Sequence, residues 1–168
     1  MSRPLRIAVL TVSDGVSAGT RDDAGGSAIA DWVRARGAVL AARETVADAG
    51  DRIVAALLAL AVEGTDVLIT TGGTGLTARD VTPEATRAVI EREVPGIAER
   101  IRAAGTSSTP YAALSRGIAG TRGATLIVNL PGSTGGVRDG LRVLDELVDH
   151  AVQLLRGVDT DTHDPPHG

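Results

Sequence analysis

The chain has no cysteine, no lysine and no phenylalanine among its 168 residues. Lack of cysteine excludes disulfides, thiolate metal centres, iron–sulfur clusters and cysteine nucleophiles. Lack of lysine removes Schiff-base chemistry and the lysine of a Walker-type phosphate loop, and all 17 basic side chains are arginine. Trp32 and Tyr111 are the only aromatics, too few for the stacking platforms that hold single strands. A net charge of −4 also argues against a nucleic-acid footprint. Of three histidines, His150 falls in a helix-forming stretch and His163 and His167 near the C-terminus, which disfavours a histidine metal cluster or a Ser-His-Asp triad. No apolar run approaches the roughly 18 residues a membrane span needs, and the N-terminus lacks a signal-peptide pattern; a soluble, cytoplasmic protein is expected. Carboxylate, hydroxyl, arginine and backbone amide remain for chemistry.

Two glycine-rich loops stand out, each after an apolar, strand-like run. The first is Thr71-Gly-Gly-Thr-Gly75, followed by Arg79 and Asp80; the second is Leu130-Pro-Gly-Ser-Thr-Gly-Gly136. Glycine lets the backbone take positive φ and approach an anion closely, so its amides can point at phosphate. Two such loops, with Asp80 downstream of one, point to a phosphorylated substrate and a metal.

The order of elements follows from periodicity. Residues 6–13 read as a buried strand, 14–26 as a loop, and 28–36 as a helix with Ile29, Trp32 and Val33 on one face, ended by Gly37. A weaker strand spans 39–46. Asp48 is placed to cap a helix over 51–62. A strand over 66–71 leads into the first glycine loop, and Thr82-Pro83 is expected to start a helix, with Thr82 as its cap, running to about Glu93. Pro95-Gly96 opens another helix through Arg102, and 105–110 reads as a polar loop. A strand over 125–129 precedes the second glycine loop, and a helix follows over 134–155. Alternating strands and helices predict a three-layer α/β/α fold, a mostly parallel sheet with helices on both faces. Ligands in such folds bind beyond the carboxyl ends of the strands, where both glycine loops fall. One domain over 1–158 and a polar tail over 159–168 are expected.

Gly73-x-Gly75-x-x-Ala78 matches a relaxed dinucleotide fingerprint, but Pro83 places the helix start too late for that geometry. A more specific pattern is the whole string Thr-Gly-Gly-Thr-Gly-Leu-Thr-Ala-Arg-Asp-Val-Thr-Pro-Glu (71–84). With Val12-Ser-Asp-Gly-Val-Ser-Ala-Gly19, Arg92-Glu-Val-Pro-Gly96, Leu114-Ser-Arg116 and Leu130-Pro-Gly-Ser133 in the same order, it resembles the molybdopterin adenylyltransferases, the Mog/MoaB-type domains also found at the N-terminus of gephyrin.

That resemblance implies that the terminal phosphate of molybdopterin attacks the α-phosphate of ATP, giving adenylyl-molybdopterin and pyrophosphate. Mg²⁺ with ATP is the implied cofactor and molybdopterin the substrate. It implies Asp80 and Asp48 as catalytic residues and as Mg²⁺ ligands, although a turn role for Asp80 and a capping role for Asp48 compete. Ser13 and Asp14 are expected to face the cleft. Thr71, Gly72, Gly73, Thr74 and Gly75 are expected to supply amides and hydroxyls, and Pro131, Gly132 and Ser133 the second turn, with Ser133 or Thr134 capping the long helix. Ser115 and Arg116 match a family motif that reaches the substrate phosphate; Arg116 can equally form a surface ion pair, and Arg79 can restrain Asp80 or touch substrate. Ala124 and the absence of lysine after Leu-Pro-Gly depart from the family pattern. A homotrimer, to which Trp32 can contribute, and transient contact with a molybdate insertase are also implied. Two alternatives stay open: a molybdopterin carrier without turnover, and an insertase-like domain.

Overall fold

The computed structural model describes residues 3–158; the tail expected at 159–168 lies outside the described residues. Six strands among the described residues form one sheet in the order β2-β1-β3-β6-β5-β4. They are β1 (Arg6–Val12), β2 (Val39–Val46), β3 (Val67–Thr71), β4 (Arg92–Glu93), β5 (Ala119–Arg122) and β6 (Thr125–Leu130). β2, β1, β3 and β6 run parallel, in register Ile7↔Val67 and Val67↔Leu126, while β5 pairs antiparallel with both β6 and β4.

Strand alternation divides the core. Ile7 and Val9 of β1, Val67 and Ile69 of β3, and Leu126 and Val128 of β6 face one layer. That layer holds α2 (Ala24–Ala35), α5 (Pro95–Thr106) and α6 (Thr134–Leu155). Ala8, Leu10, Leu68 and Ile127 face the other, where α3 (Gly50–Leu60) and α4 (Thr82–Val89) bury Ile53, Leu57, Ala85 and Val89. The central strands are buried on both faces, as parallel strands covered by helices must be.

Chain direction places the site. From β1 the chain crosses to β2 on one side and returns over β1 to β3 on the other, so β1 and β3 flank the point where strand order reverses. The crevice at such a point is the binding place of an open α/β sheet. A buried amide braces the sheet close by: Asn129 Nδ2 donates to Thr70 Oγ1 and Thr86 Oγ1 (3.0 Å each), and its Oδ1 accepts from Ile118 N at 3.2 Å.

Several boundaries differ from the sequence reading. The 14–26 loop contains a one-turn helix, α1 (Asp14–Ser17), and α2 begins at Ala24 because Asp23 caps it through Gly26 N. α4 stops at Val89, since residues 92–93 pair with β5 as an edge strand. α5 continues to Thr106, and Pro110–Leu114 forms a 3₁₀ turn. Thr82 is not the cap of α4: Val81 is, and the Thr82 hydroxyl donates to Gly72 O at 2.9 Å, fastening the helix to the first glycine loop. Ser133 does cap α6, accepting from Gly136 N.

Candidate active site

The floor of the site is backbone. Gly72 and Gly73 take φ of +95° and +67°, conformations open to glycine and strained for other residues. A Cβ on Gly72 would lie 2.1 Å from Val12 O, and one on Gly132 would lie 3.3 Å from the Gly72 Cα. The end of β1 and both glycine loops therefore meet at Gly72, where no side chain fits, and pack tightly at Gly132. Thr71 Oγ1 donates to Pro131 O at 2.7 Å and Gly72 N to Leu130 O at 3.3 Å, which joins the loops. Among the described residues the amides of Gly73, Thr74 and Gly75 have no acceptor, so they are free for an anion.

The acidic residues are held around this floor. Asp14 and Asp48 form a reciprocal pair: Asp14 N donates to Asp48 Oδ2 at 2.9 Å and Asp48 N to Asp14 Oδ1 at 3.0 Å. Asp48 is thus not a helix cap; Ala49 holds that position without a side-chain bond. Arg79 makes a fork onto Asp14, with Nε and Nη2 at 2.8–3.0 Å, rather than restraining Asp80. The Arg79 guanidinium, helped by the Asp48 amide, holds the Asp14 carboxyl below the ordinary carboxylate range. Asp80 accepts from Thr77 N (3.0 Å) and Thr77 Oγ1 (2.8 Å), both on Oδ2. The turn role is therefore present, and it leaves Oδ1 without a bond among the described residues. Both carboxylates border the loop: a Cβ on Gly73 would stand 3.2 Å from Asp48 Oδ1, and one on Gly75 would stand 2.8 Å from Asp80 Oδ2.

Arg116 lies behind the loop. Its Nε donates to Gly75 O and its Nη2 to Asp80 O, each at 2.8 Å, and its Nη1 meets Glu84. Its backbone N donates to Thr74 O. Glu84 is held below its ordinary pKa by the Arg116 guanidinium. Arg116 is thus engaged in shaping the loop. Ser115 lines the cleft, and its Oγ accepts from Gly117 N at 3.3 Å.

Two lobes open over the floor. The smaller, about 280 Å³, is lined by Ser13, Arg21, Asp48, Thr71, Gly72 and Thr134 among others. The larger, about 470 Å³, lies between the first loop, Pro131, Ser133 and the 3₁₀ turn, and includes Thr74, Tyr111, Leu114 and Asp139. Gly73, Asp80 and Gly132 belong to both. The sequence reading missed Arg21, Tyr111 and Asp139. Arg21 carried no motif, Tyr111 lay in an unassigned loop, and Asp139 sits in an amphipathic helix where its neighbours signal only packing.

No group of three or more metal-binding side chains exists among the described residues, so no all-protein metal cage forms there. Asp48 and Asp80 still supply a hard oxygen donor set. A small divalent cation held by one or two carboxylates, with phosphate and water completing its shell, fits those residues.

Residues 8–150 match the family described as a probable molybdopterin binding domain. A molybdopterin adenylyltransferase of Helicobacter pylori (strain J99) is 36% identical over 91% of this chain and 89% of its own length. A molybdenum cofactor biosynthesis bifunctional protein of Synechococcus elongatus is 39% identical over 92% of this chain, which spans about half (48%) of that relative. Among solved structures, the molybdopterin biosynthesis Mog protein from Mycobacterium ulcerans superposes with a TM-score of 0.85 at 42% identity, covering 90% of this chain and 99% of its own.

Proposed function

The chain belongs to the family described as a probable molybdopterin binding domain, and on that premise we propose that it adenylylates molybdopterin at the expense of ATP, as a step of molybdenum cofactor biosynthesis. The supporting observation is the pair of lobes that share Gly73, Asp80 and Gly132. Two substrates, one in each lobe, bring their phosphates together at those shared residues. A terminal phosphate oxygen of molybdopterin forms a bond to the α-phosphorus of ATP, the bond from that phosphorus to the bridging oxygen breaks, and pyrophosphate leaves. The nucleophile is already ionised near neutral pH, so the reaction needs no histidine base, and positioning with charge neutralisation does most of the work.

The free amides of Gly73, Thr74 and Gly75 hold phosphate oxygens, and Arg21 adds a cation from the wall of the smaller lobe. Asp48 and Asp80 are the residues that would hold Mg²⁺, and the ion would offset triphosphate charge and make pyrophosphate a better leaving group. Asp14 acts through Asp48, which its backbone and carboxylate fix in place. The family resemblance further supports a cytoplasmic homotrimer that passes its product to a molybdate insertase; light scattering tests the assembly.

Pyrophosphate release from Mg-ATP and molybdopterin tests the reaction. The parent protein releases it, and Asp80→Ala loses release while still binding molybdopterin. Binding without release by the parent would convert the reading to that of a carrier.

A further inference from the structure

The two carboxylates proposed for the cation stand on different loops. Asp48 lies between β2 and α3, and Asp80 between β3 and α4. The Asp80 carboxylate is held inside its own turn by Thr77, while Asp48 Oδ2 takes the Asp14 amide at 2.9 Å. Beyond the sheet itself, and among the described residues, the hydrogen-bonded route between these loops runs through Asp14 and Arg79. Asp48 N donates to Asp14 Oδ1 at 3.0 Å, and Arg79, the residue before Asp80, closes its fork on the same carboxylate at 2.8–3.0 Å.

Asp48 and Asp80 line the lobes of the cleft, but Asp14 and Arg79 line neither. Arg79 is therefore placed to act through other residues and not on a phosphate. The pair is also poorly placed to stabilise the fold. Its side chains are 64% and 48% exposed, and an ion pair in water contributes little. What a guanidinium fork supplies is direction, because its donors meet a carboxylate in one fixed geometry.

We propose that Arg79 is a positioning residue of the cation site: through Asp14 it sets the distance of Asp48 from the loop that carries Asp80. This rests on the reading in which Asp48 and Asp80 would hold Mg²⁺ with the nucleotide. Mg²⁺ demands near-ideal geometry at about 2.0–2.1 Å, so carboxylates on two loops must stand at a fixed gap before it is bound. Asp48 is tied twice, by the Asp14 amide on its carboxylate and by the Asp14 carboxylate on its own amide. Arg79 stops that second carboxylate from turning. Asp80 is braced from the opposite side, where Arg116 Nη2 donates to its carbonyl at 2.8 Å. A lysine at position 79 keeps the charge but offers a point contact in place of the fork, and leaves Asp14 free to rotate.

Binding of Mn-ATP, followed by the Mn²⁺ EPR signal with no molybdopterin present, tests this without turnover; Mn²⁺ suits the same oxygen donors as Mg²⁺. Arg79→Gln and Asp14→Asn each weaken Mn-ATP about 10- to 100-fold, the usual loss when the partner of a metal ligand is removed. The double variant falls no further than the worse single one, because Arg79 acts through Asp14. Arg79→Lys weakens binding as well, and the Tm of Arg79→Gln stays within about 4 °C of the parent. Unchanged affinity in Arg79→Gln, full affinity in Arg79→Lys, losses that multiply in the double variant, or a larger fall in Tm would each overturn the role. Asp80→Ala separates the two readings. If it weakens Mn-ATP while Arg79→Gln does not, the positioning role alone fails; if it binds Mn-ATP like the parent, the cation reading fails and takes the positioning role with it. A parent that shows the expected losses and releases no pyrophosphate would sink the transfer reading and leave the positioning role standing.

Discussion

Two alanine substitutions three residues apart should separate fold from chemistry. At Gly72 a side chain meets two costs. The φ of +95° costs a β-carbon about 1–2 kcal/mol. Its Cβ would also stand 2.1 Å from Val12 O, so two paired strand ends must part by about an ångström, an overpacking cost of roughly 1–3 kcal/mol. The sum, about 2–5 kcal/mol, corresponds to a fall in Tm of roughly 5–20 °C for a chain of this length. At Gly75 the backbone is ordinary and the obstacle is Asp80 Oδ2 at 2.8 Å, the far end of a side chain that can swing away. Gly75→Ala should therefore change stability by less than about 1 kcal/mol. Displacing the Asp80 carboxylate should nonetheless cut kcat for pyrophosphate release at least about 10-fold, since misplacement by an ångström is that costly in an oriented site. Calorimetry and a pyrophosphate assay on both variants give the comparison. A Gly72→Ala protein melting within about 2 °C of the parent would refute the contact between strand end and loop. A fully active Gly75→Ala protein would remove Asp80 from the chemistry.

Other expectations follow from the same geometry. Asp66 is buried and takes bidentate bonds from Arg3 and Arg156 as well as Arg6 N. Burial alone would raise its pKa, but those donors outweigh it and hold the group low. Its stabilising contribution is full above about pH 4 and disappears as pH falls through the lowered folded value; acid titration of Asp66→Asn should show a flatter limb below pH 4. Asn129→Ala strands Ile118 N and two threonine hydroxyls in the core and should cost about 2–4 kcal/mol by urea unfolding. Arg116→Met should lower kcat about 10-fold or more with little change in Tm, and the Glu84 carboxyl should titrate closer to its ordinary range by NMR. An unchanged Glu84 titration would mean that the guanidinium does not control it.

The parallel half of the sheet was legible because β1, β3 and β6 are continuous apolar runs ending in glycine loops. The antiparallel edge was not. β5 is only Ala-Gly-Thr-Arg, too short for periodicity, and Gly120 is there because a Cβ would meet Arg92 O at 2.6 Å. Asp80 was visible through the 71–84 motif and Asp48 only through the family resemblance, and the local setting of neither was legible. Asp48 looked like a cap because its sequence neighbours are helix formers, while its partner is Asp14, 34 residues away. Thr82 looked like a cap for the same reason and binds Gly72 instead. Asp139, between Val137 and Leu141, lies in a stretch whose pattern reports only packing, and Ser108, in the segment between α5 and the 3₁₀ turn, bonds its carboxylate from 31 residues away. Local pattern reports local partners, and these three residues have distant ones.

The bare floor at Gly72 and Gly132 has a consequence for how such a cleft can diverge. Its shape is written in main chain, so side-chain substitution cannot retune it by degrees: a change there either leaves the floor alone or breaks the crossing of strand and loops. The walls obey a different rule. Arg21, Tyr111 and Asp139 project from a loop, a 3₁₀ turn and a helix, and each can be exchanged without disturbing the crossing beneath. Variation in what the cleft accepts is thus confined to its rim, and the reacting phosphates meet on a surface that drift in side chains leaves untouched.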